Sequence, residues 1–216
     1  MESPGRSKTD RQSKQVIKAA YLTQLRHGPF TLEELGQQLG EVPSTQLRPE
    51  FFEGTVADHE TRYVLTETGR RSIKVVLAGG VYDVLHVGHL AALREARALG
   101  DLLVVVVATD ATVEMLKGKK PVLPEEDRLE LVEGLKPVDK AILGYEDVGF
   151  GFEQVLMDVM PDTVAFGYDQ AKLEETVSEI IQHRNWKIRL VKLSRFNSER
   201  YASSSLVRQR LAEPTK

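Results

Sequence analysis

The chain has 216 residues, 41% of them hydrophobic and 28% charged, with a formal net charge of −3. This is the balance of an ordinary globular protein, with room for one α/β domain and a small extra module, and it gives no support to a general polyanion binder. Cysteine is absent, which excludes disulfides and thiolate metal sites and fits a reducing cytoplasm.

Residues 1 to 12 are polar and rich in charge, without the apolar stretch of a secretion signal, and read as a disordered tail. A module over 13–72 follows. Ile17, Tyr21 and Leu25 recur at helical spacing, and Gly28-Pro29 ends that helix. Thr31 with Glu34 forms a capping box that opens a second helix, with Leu32, Leu35 and Leu39 on one face and Gly40 closing it. Thr55–Ala57 and Arg62–Leu65 flank a polar turn and read as a hairpin. Two helices and a hairpin ending in Tyr63-x-Leu65-Thr66-x-x-Gly69 resemble a winged helix-turn-helix.

A DNA reader of that kind presents a basic recognition helix. Here the slot after the second helix holds Pro43 to Pro49, bracketed by prolines that leave almost no room for a helix. Residues 1–72 carry ten Lys/Arg against ten Asp/Glu, so the phosphate attraction that dominates DNA affinity is missing. A docking or dimer-supporting module is the preferred reading, with a nucleotide-sensing transcription regulator as the competing one.

From Ile73 the pattern changes. Apolar runs rich in Val, Ile and Leu at 73–78, 102–108, 138–143, 163–167 and 187–193 alternate with helical stretches near 89–99, 124–135, 151–160, 171–184 and 203–211. The run Leu102 to Ala108 is too short to span a bilayer and suits a buried strand, so no membrane association is expected. The alternation predicts an α/β domain over 73–216, a parallel five-stranded sheet with right-handed crossovers and helices on both faces. Ligands of such sheets lie beyond the carboxyl ends of the strands.

The loop after the first of these strands is Gly79-Gly80-Val81-Tyr82-Asp83-Val84-Leu85-His86-Val87-Gly88-His89. Glycines let the backbone turn sharply and approach a ligand. Two histidines three apart at a helix start point the same way, and Gly88 leaves the space between them open. The helix N-terminus adds amides and a positive dipole end. Together these offer imidazole donors and backbone amides to a phosphate. A zinc pair would need a third ligand, and none accompanies the spacing.

This string is similar to the G-x-[FY]-D-x-x-H-x-G-H signature of the cytidylyltransferase-like nucleotidyltransferase superfamily. The resemblance implies a Rossmann-like, doubly wound fold. It also implies transfer of a nucleoside monophosphate from a nucleoside triphosphate to a phosphorylated acceptor, with release of pyrophosphate. It assigns nucleotide contact to Gly80, Val81, Tyr82, Asp83, His86, Gly88 and His89, and transition-state stabilisation at the α-phosphorus to His86 and His89. Ser203, Ser204 and Ser205, with Arg208 about one turn on, resemble the superfamily's second signature, a hydroxyl-rich helix start. Gly167-Tyr168-Asp169-Gln170 lies at another strand end, where the family reaches base or ribose. Asp169 is the candidate there, a carboxylate suited to an exocyclic amino group. The superfamily carries Mg²⁺ or another divalent cation on the triphosphate, with no protein metal cage required, and homodimers are common in it.

Across 73–170 the resemblance narrows to the archaeal FAD synthases, which transfer AMP from ATP to FMN. The shared stretches are Lys117-Gly118-Lys119-Lys120-Pro121-Val122-Leu123-Pro124-Glu125-Glu126-Asp127-Arg128 and Leu135-Lys136-Pro137-Val138-Asp139-Lys140-Ala141-Ile142-Leu143-Gly144. Lys117, Lys119 and Lys120 would meet the acceptor phosphate or pyrophosphate, with Lys117 the catalytic candidate. Arg128 opens a helix, where the dipole disfavours a cation, which predicts a phosphate or carboxylate partner. Gly80-Val81-Tyr82-Asp83 stands where that group has G-T-F-D, and its usual C-terminal cysteines are missing. A CTP-dependent enzyme acting on glycerol or ethanolamine phosphate is therefore the alternative.

Overall fold

A computed structural model describes residues 8–40, 46–57, 59–146 and 151–195. The chain divides into two compact units, Met1–Lys74 and Val75–Lys216.

The first unit begins with helix α1 (Lys8–His27). Lys8 to Gln12, read from the sequence as part of a disordered tail, are helical, because Lys, Arg and Gln are polar yet strong helix formers; residues 1–7 lie outside the described residues. Val16, Ile17, Ala19, Ala20 and Tyr21 supply its buried face. Gly28, at φ 76°, takes the left-handed conformation that stops it.

Thr31 caps α2 (Leu32–Leu39) through the capping box: its hydroxyl accepts from the Glu34 amide at 3.1 Å, and the Glu34 carboxylate accepts from the Thr31 amide at 2.7 Å. Strands β1 (Phe52–Ala57) and β2 (Glu60–Leu65) pair antiparallel, three residues longer on the β1 side than the sequence pattern predicts. Pairing with β2 carries Phe52, Glu53 and Gly54 into the ladder regardless of their modest local preference. The Gln24 side chain ties α1 to β2 by accepting from the Leu65 amide at 2.8 Å. A five-residue helix, α3 (Glu67–Arg71), capped by Thr66, follows where the pattern showed only the end of a hairpin. Of the slot from Pro43 to Pro49, Pro43, Ser44 and Thr45 lie outside the described residues, and Gln46 to Pro49 hold no α-helix.

The second unit holds β3 (Val75–Gly80), α4 (Val87–Arg97), β4 (Leu102–Val107), α5 (Asp110–Lys117), α6 (Glu125–Glu133), β5 (Lys140–Leu143), α7 (Gly151–Val159), β6 (Thr163–Phe166), α8 (Ala171–Arg184) and β7 (Arg189–Lys192). The five strands form one parallel sheet in the order β5-β4-β3-β6-β7, the Rossmann-like arrangement. Val76, Ala78, Leu103, Val105, Val107, Ala141 and Ala165 face one side and pack with Leu93 and Ala96 of α4 and Val132 of α6. Val155, Leu156 and Val159 of α7 and Val177 and Ile181 of α8 are buried as well. Right-handed crossovers place these two helices on the opposite face.

Carboxylates fix two strand starts. Asp162 accepts from the Val75 amide at 2.9 Å, and Asp139 accepts from the Leu103 amide at 2.8 Å while pairing with Arg97. The pattern missed α5, which Thr109 caps by accepting from the Thr112 amide at 3.2 Å. The helix read at 203–211 lies outside the described residues. No helix among the described residues is long and apolar enough to cross a membrane.

Gly69 offers a test of the first unit. A Cβ there would collide with the Phe51 carbonyl oxygen and come within 3.1 Å of the Leu65 side chain. Gly69→Ala is expected to destabilise the protein by ~1–3 kcal/mol. That corresponds to a midpoint roughly 5–15 °C lower in thermal unfolding followed by circular dichroism.

Candidate active site

Strand β3 ends later than the sequence pattern predicts, so Gly79 and Gly80 are strand residues paired with Val106 and Val107. Their lack of side chains still matters. A Cβ on Gly80 would sit 2.9 Å from two ring carbons of Tyr82, so only glycine lets that ring fold back over the strand end. Tyr82 itself is buried and holds φ 53°, a left-handed conformation costly for an aromatic residue. Burial pushes its phenol well above the ordinary range, so it stays protonated.

His86 is the N-cap of α4, and its Nδ1 accepts from the Gly88 amide at 3.1 Å. With Nδ1 accepting, the proton of the neutral ring lies on Nε2, available as a donor. The His89 ring stacks on His86 at 3.8 Å between centroids, and Tyr82 meets it edge-on at 5.3 Å. The Nδ1 of His89 is buried with no protein partner. Burial, then the charges of His86 and Lys117, brings the His89 pKa down to about 4, and burial lowers that of His86 as well. Both rings are therefore poised as neutral donors that a phosphate anion would draw towards the charged form.

These groups line a cavity of about 410 Å³ at the carboxyl ends of β3 and β6. It brings together Gly80, Val81, Tyr82, Asp83, His86, Gly88, His89, Lys117 and Asp169, nine positions singled out in the sequence. Lys117 is the last residue of α5, released by Gly118 in a left-handed C-cap. Tyr168 and Asp169 are exposed on the rim, and the Arg195 guanidinium lies 5.4 Å from the Tyr168 ring centre. Ser203, Ser204, Ser205 and Arg208 lie outside the described residues.

Arg128 requires a correction. It does not line the cavity but is fully buried in α6, with every nitrogen engaged by the protein. It donates to the Leu123 carbonyl at 3.0 Å, the Val81 carbonyl at 2.6 Å and the Asp110 carboxylate at 2.6 Å. The partner implied by its place at a helix start is thus Asp110, and what it fixes is the loop carrying the lysines. Asp83 works beside it, its Oδ1 accepting from the Val122 and Leu123 amides at 2.6 and 3.1 Å. A buried guanidinium satisfied by three segments holds them far more firmly than a surface ion pair would.

Gln170 was passed over in the sequence in favour of its charged neighbour. Its side chain links the end of β3 to the residue after β6 in the cavity wall, donating to the Gly79 carbonyl at 2.9 Å and accepting from the Gly167 amide at 2.7 Å. The one available signal was a glutamine at a helix start, a poor capping residue.

A cavity at the switch point of a parallel sheet, lined by a stacked histidine pair and a lysine, is the arrangement of a nucleotidyltransferase. The chain belongs to the cytidylyltransferase-like family, which it matches over residues 77–210. A FAD synthase of Aciduliprofundum boonei is 48% identical over 121 residues, which cover 56% of this chain and 78% of that protein. A FAD synthase of Thermoplasma acidophilum is 43% identical over 138 residues, covering 64% of this chain and 94% of that one. Among solved structures, a lipopolysaccharide core biosynthesis protein from Thermoplasma volcanium superposes with a TM-score of 0.54 at 39% identity, covering 58% of this chain and 99% of that chain.

The depressed His89 pKa fixes a pH dependence. Its folded value of about 4 lies below the ordinary 6.5, so between these values the unfolded chain binds more protons. Stability should therefore rise with pH across that window and fall as pH drops through it. In an NMR titration His89 is expected to titrate near 4 in the free protein and higher once a triphosphate is added. A free-protein value near 6.5 would contradict the burial.

Proposed function

We propose that the protein is an FMN adenylyltransferase, joining ATP and FMN to give FAD and pyrophosphate. The observation that carries the transfer chemistry is the stacked His86–His89 pair lining the strand-end cavity. The acceptor reading is supported by the FAD synthases, whose similarity extends over 78% and 94% of their own lengths.

In this reading a phosphate oxygen of FMN attacks the α-phosphorus of ATP, a new P–O–P bond forms, and the bond to the β-phosphate oxygen breaks in line. No protein nucleophile is required, so catalysis is positioning plus charge stabilisation. The Nε2 proton of His86 and an N–H of His89 meet the charge that develops on the α-phosphate oxygens. Lys117, in the same cavity lining, neutralises the acceptor phosphate or the departing pyrophosphate. Arg128 and Asp83 keep the lysine loop in register with the histidine loop through Val81, Val122 and Leu123. Asp169, exposed in the cavity lining, is the candidate acceptor for an exocyclic amino group of the base.

Nucleotidyltransferases of this kind use a divalent cation with the triphosphate, which supplies charge neutralisation. The carboxylates among the cavity lining are Asp83 and Asp169, and Asp83 already has one oxygen occupied by two amides. That donor set fits an ion held chiefly by phosphate oxygens, as Mg²⁺ prefers.

The test is turnover of the full chain with ATP plus FMN, set against CTP plus glycerol phosphate or ethanolamine phosphate, with Mg²⁺ or Mn²⁺ present. FAD on chromatography with one pyrophosphate per FAD is the expected result. Pyrophosphate released only with CTP and a phosphoalcohol would replace the acceptor assignment while keeping the transfer chemistry.

A further inference from the structure

Gln170 occupies the N-cap of α8, a position where Ser, Thr, Asp and Asn are preferred because their short side chains reach the free amides of the first turn. Gln170 makes no such bond. Its amide turns away from its own helix and reaches the first strand of the sheet.

The ladder explains what it finds there. β3 and β6 are paired at Val76–Thr163, Leu77–Val164 and Ala78–Ala165, and there the pairing stops. The next groups along are the Gly79 carbonyl and, past Phe166, the Gly167 amide. Gln170 Nε2 donates to the first at 2.9 Å, and its Oε1 accepts from the second at 2.7 Å. A primary amide carries the same donor and acceptor as a peptide unit. Gln170 thus supplies one further rung between two strands that have begun to separate.

Both ends of that rung lie in the cavity wall, as does Gln170. On one side is the β3 end that leads into Tyr82 and the histidine pair. On the other is the loop whose Tyr168 and Asp169 are exposed and so not fixed by packing. That loop is tight: a Cβ on Gly167 would come within 3.2 Å of the Asp169 carboxylate and 3.4 Å of the Gln170 amide oxygen.

We propose that Gln170 is a positioning residue for nucleotidyl transfer, its side-chain amide setting the separation between the histidine loop and the Gly167–Asp169 loop so that both ends of one nucleoside triphosphate are met at once. The proposal rests on the nucleotidyl-transfer reading above, but not on the identity of the acceptor. Gln170 itself touches no reacting atom. Its effect falls on nucleotide affinity, because a crevice of the wrong width must be readjusted each time a triphosphate binds.

The test compares the full chain with Gln170→Glu, which loses the donor and sets a carboxylate against the Gly79 carbonyl, and with Gln170→Met, which has similar length and neither group. Calorimetry with a non-hydrolysable ATP analogue and Mg²⁺ gives Kd, and steady-state kinetics give KM for ATP and for FMN separately. Thermal midpoints report the fold. The expected result is a Kd and an ATP KM raised roughly ten-fold or more, the size of effect from one lost, partly buried hydrogen-bond pair. The FMN KM should stay within about two-fold and the midpoint within a few degrees, with the larger effect in Gln170→Glu.

Unchanged ATP affinity in both variants overturns the proposal. So does a parallel rise in both KM values with a falling midpoint, or failure of both variants to fold, since each marks a purely structural role. A wild-type chain that binds the ATP analogue but forms no FAD would defeat the acceptor assignment and leave this comparison intact. One that prefers a CTP analogue would be judged with that analogue.

Discussion

Beyond Ala78 and Ala165, strands β3 and β6 share no further backbone hydrogen bonds, although β3 stays paired with β4 as far as Gly80 and β6 with β7 as far as Phe166. The cause is topological. From β3 the sheet grows outward to β4 and β5 on one side and to β6 and β7 on the other, so crossover helices leave the two central strands on opposite faces. No strand pairing joins their carboxyl ends. The cavity opens there, and each group assigned to the chemistry is a device for exploiting or bracing that gap.

Two buried polar arrangements do the bracing. On the β4 side, Arg128 and Asp83 draw the end of the lysine loop against the residues that follow β3, using backbone carbonyls and amides as anchors. On the β6 side, Gln170 links the end of β3 to Gly167. Between them the His86 and His89 rings are fixed by stacking, by the Gly88 amide and by the Tyr82 edge rather than by solvent-exposed contacts. A site held this way presents its donors before substrate arrives, which is what makes electrostatic stabilisation effective. The unsatisfied Nδ1 of His89 and the left-handed backbone of Tyr82 are local costs of the arrangement, tolerated where function concentrates.

Much of this was legible in the sequence because it is local. The histidine pair, the glycines before it and the start of the helix it caps lie within eleven consecutive residues, so spacing alone brings them together. The strand–helix alternation foretold the sheet, since buried parallel strands read as continuous Val, Ile and Leu runs such as Leu102 to Val107. The roles of Arg128 and Gln170 were not legible, because each depends on which distant carbonyl faces it. Arg128 reaches a residue 47 positions away and Gln170 one 91 positions away. In the sequence Arg128 stood out as a cation at a helix start that calls for a phosphate or carboxylate partner. In the fold it is a strut. The short α3 and α5 escaped notice for a related reason: each relies on one threonine cap rather than on a long apolar period.

The claim on which the rest depends is that the half-buried His89 ring stabilises charge on a transferring phosphate. The most direct measurement is the rate of pyrophosphate release by a His89→Ala variant whose circular dichroism matches the unaltered protein. A fall of roughly 10²–10³ in kcat, the cost of losing one preorganised donor, is predicted. A variant that keeps its fold and works within about two-fold of the original rate would show that the loop only shapes the backbone, and would contradict the account.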